Sequence, residues 1–175
     1  QQLQGSAERK EPPVATAPTK KQIIAVDMPD AKQAIIRFRI PGPRLDEEHH
    51  AAVFLANWVL GGHFMSRLNR NIREEKGLTY GVYSRYSSSK QVGHITARLD
   101  VAKDNAHIAV QEILSEFKML ASEGLTPLEL EDAQIAQLTD WNTSLQSSYS
   151  TANFYGSLLN NRWDVAEAKM RMEAA

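Results

Sequence analysis

The run GGHFMSRLNRNIREEKGLTYGVY, from Gly61 to Tyr83, decides the fold, because the hydrophobic period changes inside it. Phe64, Leu68 and Ile72 recur every four residues, which predicts a short helix with these three on its apolar stripe and Arg67, Arg70 and Glu74 around the rest. Gly77 is its expected terminator, since glycine enters the left-handed region without a Cβ penalty. From Thr79 to Ser87 the period becomes two, with Tyr80, Val82 and Tyr86 on one side and Tyr83 on the other, so a strand is expected. Arg73 and Tyr80 therefore flank the glycine stop, one near the end of a helix and the other at the start of a strand.

Downstream, after a turn at Ser88 to Gln91, Ile95, Ala97, Leu99 and Val101 alternate with His94, Thr96, Arg98 and Asp100. That pattern predicts a β-hairpin with one buried face. A helix is expected over residues 104–122 on the stripe Ala106, Ala109, Val110, Ile113, Phe117 and Leu120, closed by Gly124. Thr126-Pro-Leu-Glu129 is a capping box with proline at the first helical position, opening a helix that runs past Trp141 toward Leu145.

Upstream, residues 23–26 and 34–40 read as two strands around a turn at Met28 to Asp30. Asp46 is the expected cap of a helix carrying Ala52, Leu55, Ala56 and Val59, stopped by Gly61 and Gly62. Strands, helices, hairpin and helices in that order predict an α+β domain: an antiparallel or mixed sheet with helices packed on one face. Residues 1–20 are polar and rich in proline and alanine and read as a disordered linker, leaving 21–175 as the domain. The stretch from Ser157 reads as helical and reaches MRMEAA with no cap, so the domain is expected to be truncated at its C-terminal end.

With 42% apolar residues, 175 residues suffice for one sizeable core. The net charge of -1 and the lack of any Lys/Arg block, with no basic face read in the sequence, argue against a nucleic-acid partner. No apolar run approaches the roughly 20 residues of a membrane span. There is no cysteine, which removes disulfides and thiolate zinc sites and suits cytoplasm and periplasm alike. The pair Gly61-Gly62 lacks the spacing of a phosphate cradle, so a packing or turn role is expected. Trp58, Trp141, Phe117 and Leu120 are core candidates first, and Phe154, Tyr155 and Trp163 are candidates equally for a contact surface and for core packing.

SRLNRNIREEKGLTYGVYS, from Ser66 to Ser84, resembles the most recognisable stretch of the pitrilysin/insulinase family of zinc metallopeptidases. GLTPLELEDAQ, from Gly124 to Gln134, is similar to that family's later helix start. The resemblance implies one of two similar α+β halves that close like a clamshell, with zinc held in the other half by an inverted His-x-x-Glu-His motif. This chain lacks the motif: the residues four after His49, His50, His63, His94 and His107 are Val53, Phe54, Arg67, Arg98 and Gln111. Glu47-Glu48-His49-His50 does not replace it, because consecutive residues point around a helix instead of to one face.

The resemblance thus implies the non-catalytic half, with no metal or cofactor of its own and with Zn in a partner catalytic half, in the same polypeptide or a separate subunit. It implies a substrate-binding part of a zinc endopeptidase that hydrolyses peptides or unfolded segments and is inactive by itself. The matching family positions that support the transition state fall on Arg73 and Tyr80. Taken alone, Arg73 is a solvated helix-end cation and Tyr80 a half-buried strand residue. An inactive scaffold or assembly subunit is the other function the resemblance implies, and a stand-alone peptide-binding module is a third reading. A bacterial protein is expected, with the periplasm slightly preferred over the cytoplasm. A homo-oligomer is expected through apolar surface that a truncated end leaves exposed.

Overall fold

The computed structural model describes residues 26 and 28–161. Strand β1 (Gln33–Gly42) leads through a loop to helix α1 (His50–Asn57), and strands β2 (Val82–Ser88) and β3 (Gly93–Ala102) follow. Helices α2 (Ala106–Glu123), α3 (Pro127–Ser144) and α4 (Ser148–Asn161) complete the order. The three strands form an antiparallel sheet in the order β1-β3-β2. The expected α+β domain, with its hairpin, is what the chain adopts. The linker over residues 1–20 and nearly all of the first expected strand lie outside the described residues, as do Trp163 and the residues beyond 161.

Alternation along the strands sorts the side chains by face. Ile36, Phe38, Val82, Ala97, Leu99 and Val101 turn inward, where Leu60, Leu68, Ile72, Ala109 and Ile113 complete the main core. Eight side chains of this cluster expose at most 3% of their surface. A smaller cluster of Leu55, Val59 and Ala133, with Trp58 and Leu125 against it, joins α1 to α3. The capping box forms as the sequence predicts: the Thr126 hydroxyl accepts from the Glu129 N–H at 3.2 Å, and Glu129 Oε2 accepts from the Thr126 N–H at 2.9 Å.

Two helical segments between α1 and β2 are wider than α-helices. Trp58–Gly62 and Asn69–Glu75 are π-helical, and the Lys76 N–H reaches back five residues to the Asn71 carbonyl at 3.1 Å. Gly61, the penultimate residue of the first, lies in close contact with β2, where an added Cβ would stand 2.5 Å from Ser84 Oγ and 2.7 Å from Ser84 N. The glycine pair thus has the packing and turn role expected of it.

The start of α1 differs from expectation. Asp46 makes no cap; its carboxylate lies 3.7 Å from Arg44, and the helix begins at His50 without a side-chain cap. The neighbouring Glu47 side chain accepts from the Arg44 N–H at 2.6 Å, which closes a turn at 44–47 and delays the helix.

Candidate functional site

Gly77 sits at φ 61 and ends the second π segment, with the Leu78 N–H donating to the Ile72 carbonyl at 3.0 Å. The chain then reverses toward β2. Buried Asn69 fixes this reversal from both sides. Its Nδ2 donates to the His63 carbonyl and to Ser66 Oγ, each at 3.3 Å, and its Oδ1 accepts from the Val82 N–H at 3.1 Å. The helical segment and the first residue of the strand are thereby tied through one amide.

Tyr80 lies two residues before β2, and its side chain is 92% exposed, whereas Val82 is fully buried. The expected strand face of Tyr80 with Val82 and Tyr86 is therefore corrected. Thr79 replaces the ladder at this point: its hydroxyl donates to the Asp100 carbonyl at 2.7 Å and accepts from the Gly81 N–H at 3.3 Å. Released from the sheet, Tyr80 turns toward the helical segment. The Arg73 guanidinium carbon stands 5.8 Å from the centre of its ring and 4.0 Å from the centre of the Phe64 ring. Both distances fall within cation–π range.

Phe64 was expected on the buried stripe with Leu68 and Ile72, and the latter two are fully buried. Phe64 instead precedes the helical segment, is half exposed and supports Arg73. Its role escapes sequence reading because the four-residue spacing that predicts the stripe holds only if the helix extends back to it.

Beside Tyr80 opens a groove of about 740 Å³, lined by Gly77 to Gly81, Tyr83, Arg98 and the end of β3. It exists because β2 starts opposite Leu99, so Asp100 to Ala102 pair with β1 on one side and have no β2 residue on the other. Its volume lies in the range of small-molecule and peptide clefts.

The helical segment is braced from outside. Arg67 donates through Nε to Glu129 Oε1 at 2.7 Å and through Nη2 to Glu129 Oε2 at 2.6 Å, a two-point pair with the start of α3. The hydrogen bonds from Arg67 first, then those from Thr126, bring the Glu129 carboxyl down from 4.5 to about 2 against partial burial. Asn71 Nδ2 donates to Glu116 Oε1 at 2.7 Å and to Glu112 Oε2 at 3.1 Å, anchoring the segment to α2.

The histidines occupy unrelated places. His63 stacks on Trp58 at 3.8 Å, His50 shares a hydrogen bond with Ser88, and His94 lies against Arg39. Among the described residues, no three His, Cys, Asp or Glu side chains come together as metal ligands.

The chain is 30% identical over 121 residues to an uncharacterized zinc protease of Bacillus subtilis, YmxG, covering 69% of this chain and 30% of that protein. It is 34% identical over 110 residues to a non-peptidase homolog, YmxG, of Helicobacter pylori, covering 60% of this chain and 24% of that protein. The chain thus spans less than a third of the length of these curated relatives. A crystal structure of a peptidase M16 inactive domain from Pseudomonas fluorescens superposes with a TM-score of 0.73 at 26% identity, over 82% of this chain and 34% of that one. Residues 1–137 match the family model described as the peptidase M16 inactive domain, and the chain belongs to that family.

Proposed function

We propose that this domain is the substrate-gripping, metal-free half of a zinc endopeptidase, and that Arg73 and Tyr80 hold the peptide bond that a zinc-bearing half cleaves. The observation carrying this reading is that a guanidinium and an exposed phenol, separated in sequence by a helix stop, stand 5.8 Å apart, and that the phenol lines a groove. Both side chains carry hydrogen-bond donors. Aimed at the scissile carbonyl, they stabilise the negative charge that grows on its oxygen during attack by water. Phe64 and the Asn69 amide restrict where the two can go, so less ordering is left for the moment of reaction.

Zinc supplies an activated water in such a protease, and the partner half, in the same polypeptide or another subunit, is where its ligands belong. The substrate is a peptide or an unfolded segment, since a groove beside an open strand end admits an extended backbone. The test uses the whole protein, with its zinc-bearing half. Arg73→Ala and Tyr80→Phe should each lower kcat/KM for an unstructured peptide on the order of a hundredfold at unchanged zinc content. Wild-type turnover in both variants removes these side chains from the reaction.

A second reading, an inactive scaffold, is favoured by one observation: a relative carries the description non-peptidase homolog. A His-x-x-Glu-His helix encoded beside this domain supports the protease, and its absence there supports the scaffold.

A further inference from the structure

The strand register places Arg37, Arg39, Arg85 and Arg98 together on the sheet face opposite the core. Arg37 stands directly across from Arg98, and Thr96 lies between Arg39 and Arg85 in the next row. All four arginines are exposed. On the paired strands of this face, Asp100 is the one carboxylate, 3.6 Å from Arg98. Arg39 donates to a ring nitrogen of His94 at 2.8 Å, which satisfies a hydrogen bond without cancelling its charge. Among the described residues neither Arg37 nor Arg85 enters an ion pair.

Folding does not ask for this arrangement. Like charges directly opposite each other destabilise a sheet, so the Arg37–Arg98 pairing is a cost with no structural return. The whole chain carries a net charge of -1, so the basic character belongs to this face and not to the protein at large. Tyr83 is the residue that links the two regions: it pairs with Arg98 on this face, and both line the groove beside Tyr80.

We propose that this face binds acidic segments of an extended peptide, the carboxylates pairing with Arg37, Arg39, Arg85 and Arg98. The claim rests on the reading of this domain as a peptide-gripping half and names the class of substrate that half selects. Arg37 and Arg39 are two residues apart on one strand, hence about 7 Å, which is also the separation of alternate side chains in an extended peptide. A guanidinium fork meets a carboxylate with two parallel hydrogen bonds, so the surface reads charge and geometry together. A peptide whose acidic stretch lies on this face passes through the groove, and a bond beyond that stretch reaches Tyr80.

The test is a titration of the full chain with fluorescent, unstructured peptides that differ only in carrying Glu, Gln or Lys at alternate positions. Binding should favour the Glu peptide and weaken as salt approaches about 0.5 M. Arg37→Glu combined with Arg85→Glu should weaken that binding on the order of tenfold or more, reverse the preference toward the Lys peptide and leave the circular dichroism unchanged. Equal binding of the three peptides, or a preference that survives the double reversal, overturns the proposal. Equally tight binding of a single-stranded oligonucleotide or of phosphatidylserine vesicles also overturns it, because the face is then a general polyanion surface. In the whole protein the two readings separate. Loss of the acidic preference while cleavage of the Gln peptide still depends on Arg73 sinks this inference alone; an intact preference without that dependence supports it and sinks the earlier reading alone.

Discussion

Arg73 is a side chain whose usefulness depends on where its four rotatable bonds leave it. A free arginine spreads its charge over many rotamers and loses much of the hydrogen-bonding energy to ordering. Here Phe64 lies 4.0 Å below the guanidinium and Tyr80 5.8 Å from it, so the cation is held at an aromatic surface, with Glu74 Oε1 3.9 Å from its Nη1. A cation–π contact at an exposed site contributes about 0.5–1 kcal/mol. In the whole protein, Phe64→Ala should therefore lower kcat about 2–5-fold with little change in KM, a smaller effect than removing Arg73 itself. Steady-state kinetics on an unstructured peptide decide it, and an Arg73 that works as well without the ring needs no such support. Asn69 is the other residue on which the geometry turns. Its amide holds the Val82 N–H at 3.1 Å, and Asn69→Leu leaves that buried donor unsatisfied, at a cost of about 1–3 kcal/mol. Neither Phe64 nor Asn69 announces itself in the sequence. Phe64 has the right spacing for a core residue, and the partners of Asn69 are backbone groups that no side-chain pattern encodes.

Among the elements, α3 is tied through an ion pair at its first turn as well as through the packing of Ala133. Glu129 closes the α3 capping box and also takes both hydrogen bonds from Arg67, so one carboxylate joins the helix start to the segment that carries Arg73. Its pKa falls from 4.5 in the unfolded chain to about 2 in the fold, so the folded state favours the ionised form. The stabilisation is complete above about pH 4.5, shrinks as acid is added and is gone once the pH has fallen through about 2. Glu129→Gln should cost about 1–2 kcal/mol at neutral pH and flatten the decline in urea stability between those pH values. Parallel pH profiles for the two proteins would mean that the carboxylate is not what links these elements. This helix start was legible because a capping box and a proline are local signals of backbone geometry. The hairpin and α2 were legible for the same reason, each carrying its own period and its own stop. The π-helical widening was not, since π and α segments draw on the same residue types and differ in which carbonyl accepts. Tyr80 was assigned to a strand because the period of two runs through it. The Thr79 hydroxyl, competing for the Asp100 carbonyl, ends the ladder earlier than the pattern does.

At the scale of the whole molecule, the sheet has one face filled by helices and one dominated by arginine, and α3 adds a third surface of different character. The arginine face was present in the sequence only as the polar half of each strand's alternation. It becomes a surface when β1 and β3, distant in sequence, pair in register, and no window along the chain contains both. On α3, Ala133 packs into the smaller cluster, while Leu128, Ile135 and Leu138 remain 66%, 56% and 55% exposed. They fall on one side of the helix with Glu131 between them, an apolar strip larger than scattered surface leucines produce. Its exposure, with a net charge of -1 that offers little repulsion, predicts self-association of the isolated chain through this strip. Light scattering should show the apparent mass rising with concentration. Ile135→Glu with Leu138→Lys should restore a concentration-independent monomer while leaving the buried contacts of Ala133 in place. Because these residues stand apart from the arginine face, the same double variant should retain the preference for acidic peptides. A wild-type chain that stays monomeric across the concentration series would show that charge and side-chain entropy outweigh the apolar area this helix presents.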